Sequence, residues 1–104
     1  MLLIPEFLPD AVGFQWDEGN AAKNWRRREV TQAEAEQVFL NRPLLVAEDP
    51  RHSGREQRHF ALGRTDAGRQ LMVAFTLRGS LLRVISARPV SRRERSIYAE
   101  AEMS

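Results

Sequence analysis

The chain has no cysteine, a single lysine (Lys23), a single tyrosine (Tyr98) and two histidines, His52 and His59. Each scarcity excludes something. Without cysteine there is no disulfide, no thiolate nucleophile and no thiolate metal ligand. The histidines stand seven residues apart, which fits none of the short zinc spacings. Long apolar runs are also missing. The stretch "LMVAF" (71–75) is among the longest, far short of the ~20 residues a membrane-crossing helix needs. The opening "MLLIPEFLPDAVG" lacks a basic segment and is interrupted by Pro5, Glu6 and Pro9, so it does not read as a secretory signal. The expected compartment is the cytoplasm.

What is abundant is arginine. Of sixteen basic residues only one is lysine. The net charge of +2 hides an asymmetry: residues 1–50 carry five basic and nine acidic groups, whereas residues 51–95 carry eleven arginines against Glu56, Asp66 and Glu94. The guanidinium group is a planar donor fork suited to phosphate and carboxylate. The basic half therefore points to a polyanionic partner.

At 104 residues the chain is the size of one domain with one modest core. "FQW" (14–16) reads as a short strand, and Asp17 can cap a helix running to about Arg28. Thr31 and Glu34 have the spacing of a capping box, with Pro43 marking the stop of a second helix. Strands follow at 44–48, 57–64, 70–78 and 81–88. "TDAG" joins the second and third of these, and Gly79-Ser80 joins the last two as a type II′ turn prefers. Ser91 and Glu94 form another capping box and open a closing helix. The order β-α-α-β-β-β-β-α predicts an α+β domain, two N-terminal helices packed on a twisted antiparallel sheet with a C-terminal helix. Arg92, Arg93 and Arg95 fall in the first turn of that last helix, where cations oppose the helix dipole; stability does not account for them.

Strand alternation assigns faces. With Leu62 opposite Leu71 and Thr76 opposite Arg83, one face holds Phe60, Leu62, Leu71, Val73, Phe75, Leu77, Leu82 and Val84. The other holds His59, Ala61, Met72, Ala74, Thr76, Arg78, Arg83 and Ile85. On this reading the second face is the candidate site. RNA cleavage without metal needs a 2′-hydroxyl deprotonated, a phosphorane stabilised and a leaving oxygen protonated. Arg83 and Arg78 supply phosphate donors, and His59 titrates near neutrality and can move the proton. Against this stand plainer readings. Arg78 and Arg83 flank a turn, where exposed charge is ordinary, and a lone histidine on a strand is commonly structural. Glu56, Arg58, Arg88 and Glu94 can form an ion-pair network closing the sheet against the last helix. Trp16 and Trp25 read as core or partner-facing residues, and no carboxylate cluster suggests a metal-dependent nuclease.

Three stretches, "FQWDEGNAAKNWRRREVTQAEAEQVF", "EDPRHSGREQRHFALGRTDAGRQLMVAFTLRG" and "LRVISARPVSRRERSIYAE", together resemble the BrnT family of toxins of bacterial type II toxin–antitoxin systems. The resemblance spans Phe14 to Glu100, and beside it residues 1–13 look like an added arm, flexible or laid on a partner, ahead of a single domain over 14–104. It implies a RelE-like fold and a ribonuclease that arrests translation without a cofactor. It also implies a cognate antitoxin carrying a ribbon-helix-helix DNA-binding part, through which the complex reaches operator DNA. RelE-like enzymes rely on basic and tyrosine side chains. The resemblance therefore adds Tyr98 to Arg83, Arg78 and His59 as catalytic candidates. It adds Lys23, Arg27, Arg28, Arg64, Arg88 and Arg93 as RNA-binding candidates. One departure stands out: Arg28 occupies the place of a frequent family histidine, which keeps charge but removes proton transfer. That keeps open the reading of a weakened toxin acting as an antitoxin-binding co-repressor; a third reading, independent of this departure, is a free-standing DNA-binding domain. The last has no helix-turn-helix signal in its support.

Overall fold

The structure, a computed structural model, describes residues 2–3, 13–16, 29–49 and 57–103. The helix expected over 17–28 lies outside these, and with it Lys23, Arg27 and Arg28; so does the loop carrying His52 and Glu56. The described elements are β1 (Leu2–Leu3), β2 (Gly13–Gln15), α1 (Gln32–Leu40), β3 (Leu45–Glu48), β4 (Arg58–Arg64), β5 (Gln70–Arg78), β6 (Leu81–Pro89) and α2 (Arg92–Glu102). The strands form one six-stranded sheet in the order β1-β3-β4-β5-β6-β2. This is an α+β fold, with α1 and α2 on opposite faces of the sheet.

Local chemistry sets both helix starts. Thr31 and Ser91 are N-caps, each accepting from the backbone N–H three residues on, while Glu34 and Glu94 accept from the cap N–H in return. Both capping boxes are legible in sequence. Gly79 has φ +61, as the first position of a II′ turn requires, and joins β5 to β6 in two residues.

α1 buries Ala35, Val38 and Phe39 on one face of the sheet. There they meet Val46, Ala61, Leu71, Val73, Phe75, Leu82, Val84 and Ala87. Phe39 packs edge-on to Phe75 with ring centroids 5.0 Å apart, and Phe14 of β2 lies 5.7 Å from Phe39. The Trp16 indole N–H donates to Glu36 at 2.7 Å, tying the edge strand to the helix. On the opposite face, α2 covers a smaller cluster of Tyr98, Leu45, Leu62 and Met72, flanked by Phe60, Val90 and Ala101.

Two expectations need correction. The sheet is mixed, because β2 runs parallel to β6, with Phe14 beside Leu82 and Gln15 beside Arg83. At its other edge Leu2–Leu3 pair antiparallel with Leu45 and Val46. The second correction is that β4 is slipped by one residue. Leu62 pairs with Met72 and Phe60 with Ala74, so β4 presents its other face to each core. The connection after Arg64 is longer by one residue than the four-residue loop assumed: Thr65 N–H donates to the Arg69 carbonyl at 2.9 Å, and Gly68 turns at φ +88. Packing favours the slip. α1 presses so close on β4 that only small side chains fit beneath it, and Ala61 and Gly63 meet that need; Phe60 and Leu62 go to the α2 side.

Gly63 measures the closeness. A Cβ there would lie 2.8 Å from Val38 Cγ1 and 3.1 Å from the Val38 carbonyl oxygen. Gly63→Ala is expected to destabilise the fold by ~1–3 kcal/mol, as overpacking does. Urea unfolding checks this; an unchanged midpoint would show that α1 can lift without loss.

A second irregularity lies in β6. Ala74 pairs with Ser86 but Phe75 pairs with Val84, which leaves Ile85 as an extra residue in a β-bulge. Bulges increase local twist and re-aim side chains, and they concentrate beside functional sites.

Candidate nucleic-acid interface

The register brings charge into one row across the sheet. Thr76 of β5 is paired with Arg58 of β4 on one side and with Arg83 of β6 on the other. Gln15 of β2 continues the row beyond Arg83. Adjacent strands are about 4.8 Å apart, so the arginine side chains leave the sheet about two strand spacings from one another. Arg78 shares the face two residues along β5, at the exposed turn end, while Arg58 and Arg83 are half-buried. The next row inward is Phe60–Ala74–Ser86. Its small Ala74 and Ser86 separate the arginines from the part of the face that α2 covers.

At the centre of the row Thr76 is 4% exposed, and its Oγ1 is buried with no hydrogen-bond partner. Groups that fork donors at a phosphate thus surround a buried hydroxyl. The row supplies permanent positive charge; it carries no side chain that titrates near neutrality.

His59 is not on this face. It pairs with Phe75 and Glu48, is 6% exposed, and stacks on the Phe75 ring at 5.3 Å on the α1 side of the sheet. The expected partnership of His59 with Arg83 is therefore corrected by the one-residue slip in β4. Burial pushes the His59 pKa below its usual value, against the opposing pull of Glu48 and a backbone hydrogen bond at Gln57. A histidine whose folded pKa is depressed binds its proton more readily when unfolded. Its contribution to stability is complete above the unfolded pKa, near 6.5, and is lost as pH falls from there toward the folded pKa. Denaturation midpoints should therefore fall between pH 7 and 5, and His59→Phe should flatten that part of the profile. A profile of the same slope in the variant would assign the dependence to other groups.

Tyr98 is likewise away from the row. It is fully buried under α2, and its O–H donates to the Pro43 carbonyl at 2.7 Å. Burial raises its pKa. Arg88 lies on the same face as Arg83, and its two terminal nitrogens donate to the two Glu94 carboxylate oxygens at 2.8 and 2.7 Å. That hydrogen-bonded guanidinium holds the Glu94 carboxyl below its ordinary range, and Glu94 also accepts from the Ser91 N–H. Arg88 thus fastens the start of α2 to the sheet, as the ion-pair reading anticipated. Arg64 and Arg93 are exposed, and Arg64 stands 3.9 Å from Glu102. Of the candidates read from sequence, the structure gathers Arg83 and Arg78 and adds two that were not proposed, Arg58 and Thr76. Arg58 was legible only as a member of an ion-pair network. With the slipped register it falls directly across Thr76 from Arg83.

Among the described residues no group of three or more His, Asp or Glu converges as a metal seat, and no helix is long and apolar enough to cross a membrane.

Comparison with known proteins places the chain in a family. The model of the family described as the ribonuclease toxin, BrnT, of type II toxin–antitoxin systems matches residues 16–94, which include the whole arginine row from Arg58 to Arg83. No curated protein matches the chain. Among solved structures, the crystal structure of the Brucella abortus ribonuclease toxin BrnT is similar in fold. It is 24% identical, with a TM-score of 0.59, and the match covers 79% of this chain and 100% of that one. With three quarters of its length inside the family model, including the strands that carry the basic face, the chain belongs to the BrnT family of ribonuclease toxins of type II toxin–antitoxin systems.

Proposed function

We propose that this protein is a metal-independent endoribonuclease that inhibits translation by cutting RNA, and that a cognate antitoxin neutralises it. The observation that carries this reading is the row Arg58–Thr76–Arg83, with Arg78 beside it. Guanidinium groups converging on one phosphate can hold it bidentately and stabilise the charge of a phosphorane, the larger share of catalysis in such a site. The 2′-hydroxyl of the RNA serves as the nucleophile, so the products carry cyclic phosphate ends. Phe60, partly buried beside the α2 cluster, offers an aromatic surface next to the row for a base. Arg64, at the far end of β4, and Arg93, at the start of α2, are further candidates for phosphate contacts along a longer RNA, and Lys23, Arg27 and Arg28 add charge from outside the described residues. The antitoxin contributes a ribbon-helix-helix part that takes the complex to operator DNA.

The test is incubation of purified protein with a defined single-stranded RNA in excess EDTA, followed by mapping of product ends. Cyclic phosphate ends support the proposal. Cleavage that EDTA abolishes and Mg²⁺ restores overturns metal independence.

A second reading has its own observation. His59 faces away from the arginine row, and Arg28 stands where a histidine is frequent in the family, so proton transfer has lost two donors that sequence would nominate. A weakened toxin would still bind its antitoxin and act as a co-repressor. Growth arrest on expression without antitoxin separates the two: an active toxin stops growth, a co-repressor does not.

A further inference from the structure

We infer that Thr76 is a specificity residue, its hydroxyl binding the ribose 2′-hydroxyl of the RNA whose phosphate the flanking arginines hold. The inference rests on the ribonuclease reading and names the group that tells RNA from DNA at that site.

Thr76 is the only side chain in the row Arg58–Thr76–Arg83 able both to accept and to donate a hydrogen bond; the arginines only donate. It is 4% exposed, and its Oγ1 meets no hydrogen-bond partner. A buried hydroxyl left unsatisfied is unfavourable, and valine has nearly the same shape without that penalty. Folding therefore gives no reason for a hydroxyl here. Its neighbours suggest one. Strand alternation points Thr76 to the same face as Arg58, Arg78 and Arg83, while Phe75 and Leu77 on either side point to the α1 core. A phosphate held between Arg58 and Arg83 would lie over Thr76, and in RNA the adjoining ribose carries the 2′-hydroxyl, a donor and acceptor that DNA lacks. Arg58 and Arg83, on either side of Thr76 in the row, are half-buried. The bulge at Ile85, two residues along β6 from Arg83, increases the strand's twist near this point.

The experiment compares wild type, Thr76→Val and Thr76→Ser. It measures kcat/KM for cleavage of a single-stranded RNA, inhibition of that cleavage by a DNA oligonucleotide of the same sequence, and thermal stability. Thr76→Val is expected to lower kcat/KM for RNA by roughly 3- to 10-fold, the loss of one hydrogen bond, with the DNA inhibition constant unchanged and the melting temperature equal or higher. Thr76→Ser is expected to retain the wild-type rate. RNA cleavage by Thr76→Val at the wild-type rate overturns the inference, as does an equal loss toward RNA and DNA, which would place the hydroxyl's effect on the arginines. A wild-type protein that neither cleaves nor binds RNA overturns the ribonuclease reading itself and this inference with it, a result distinct from a Thr76→Val protein that works normally.

Discussion

Arg83→Ala should lower RNA cleavage by ~10²–10³-fold, the usual consequence of removing one donor from a site that stabilises developing anionic charge. Arg83 stands across Thr76 from Arg58, and Gln15 of the edge strand is its other neighbour. It is thus the interior arginine of the β6 side, and no other arginine of β6 can replace it, because Arg88 is committed to Glu94. Arg83→Lys restores the charge but not the fork, so a partial recovery is expected, well short of wild type. The salt dependence of RNA binding should also flatten by about one phosphate contact in either an Ala or a Gln variant. The fold should survive, because Arg83 is only half-buried and lies outside both apolar clusters. Single-turnover cleavage with far-ultraviolet circular dichroism as a control checks this. A folded Arg83→Ala protein that cleaves normally would remove the row from the chemistry.

The second large effect concerns stability. Tyr98→Ala should destabilise the protein by ~3–5 kcal/mol, as truncation of a buried aromatic does. Tyr98 is fully buried and is the centre of the smaller cluster, touching the group of Leu45, Leu62 and Met72 that holds α2 on the sheet. Its hydroxyl also satisfies the Pro43 carbonyl at 2.7 Å, linking α2 to the turn after α1. Tyr98→Phe keeps the ring and leaves that carbonyl without its donor, for an expected cost of ~1–3 kcal/mol. It should leave RNA cleavage within about twofold at a temperature where both proteins are folded, since one hydrogen bond away from the reacting atoms has little bearing on the barrier. The pairing of a clear stability loss with unchanged cleavage is what separates an anchoring tyrosine from a catalytic one. Strongly reduced cleavage by folded Tyr98→Phe would return Tyr98 to the chemistry.

Much of the fold is legible locally. The Thr31–Glu34 and Ser91–Glu94 boxes satisfy orphan amides within three residues, so the residues themselves declare the helix starts. Gly79 turns the β5–β6 hairpin, and the register it implies, Thr76 with Arg83 and Arg78 with Leu81, is the one observed. Farther along that hairpin the bulge at Ile85 sets Ala74 opposite Ser86, where the register of the turn continued without a bulge would set it opposite Ile85, a shift no turn residue announces. The candidate site divides the same way. Arg83 and Arg78 follow from a two-residue turn. Arg58 and the exclusion of His59 follow from β4, whose alternation reads equally well in either register because both of its faces are apolar.

By itself the sequence determined the arginine-rich half, the capped helices, the β-hairpin of β5 and β6 and the family resemblance, because each rests on residues near one another in the chain or on composition. Only the tertiary structure decided which face of β4 looks at α1, and so that Arg58 rather than His59 stands across from Arg83. That choice is made by helix–sheet contact. Val38 of α1 approaches Gly63 too closely for any side chain, Ala61 and Gly63 turn inward to meet it, and Phe60 and Leu62 pass beneath Tyr98 on the other side.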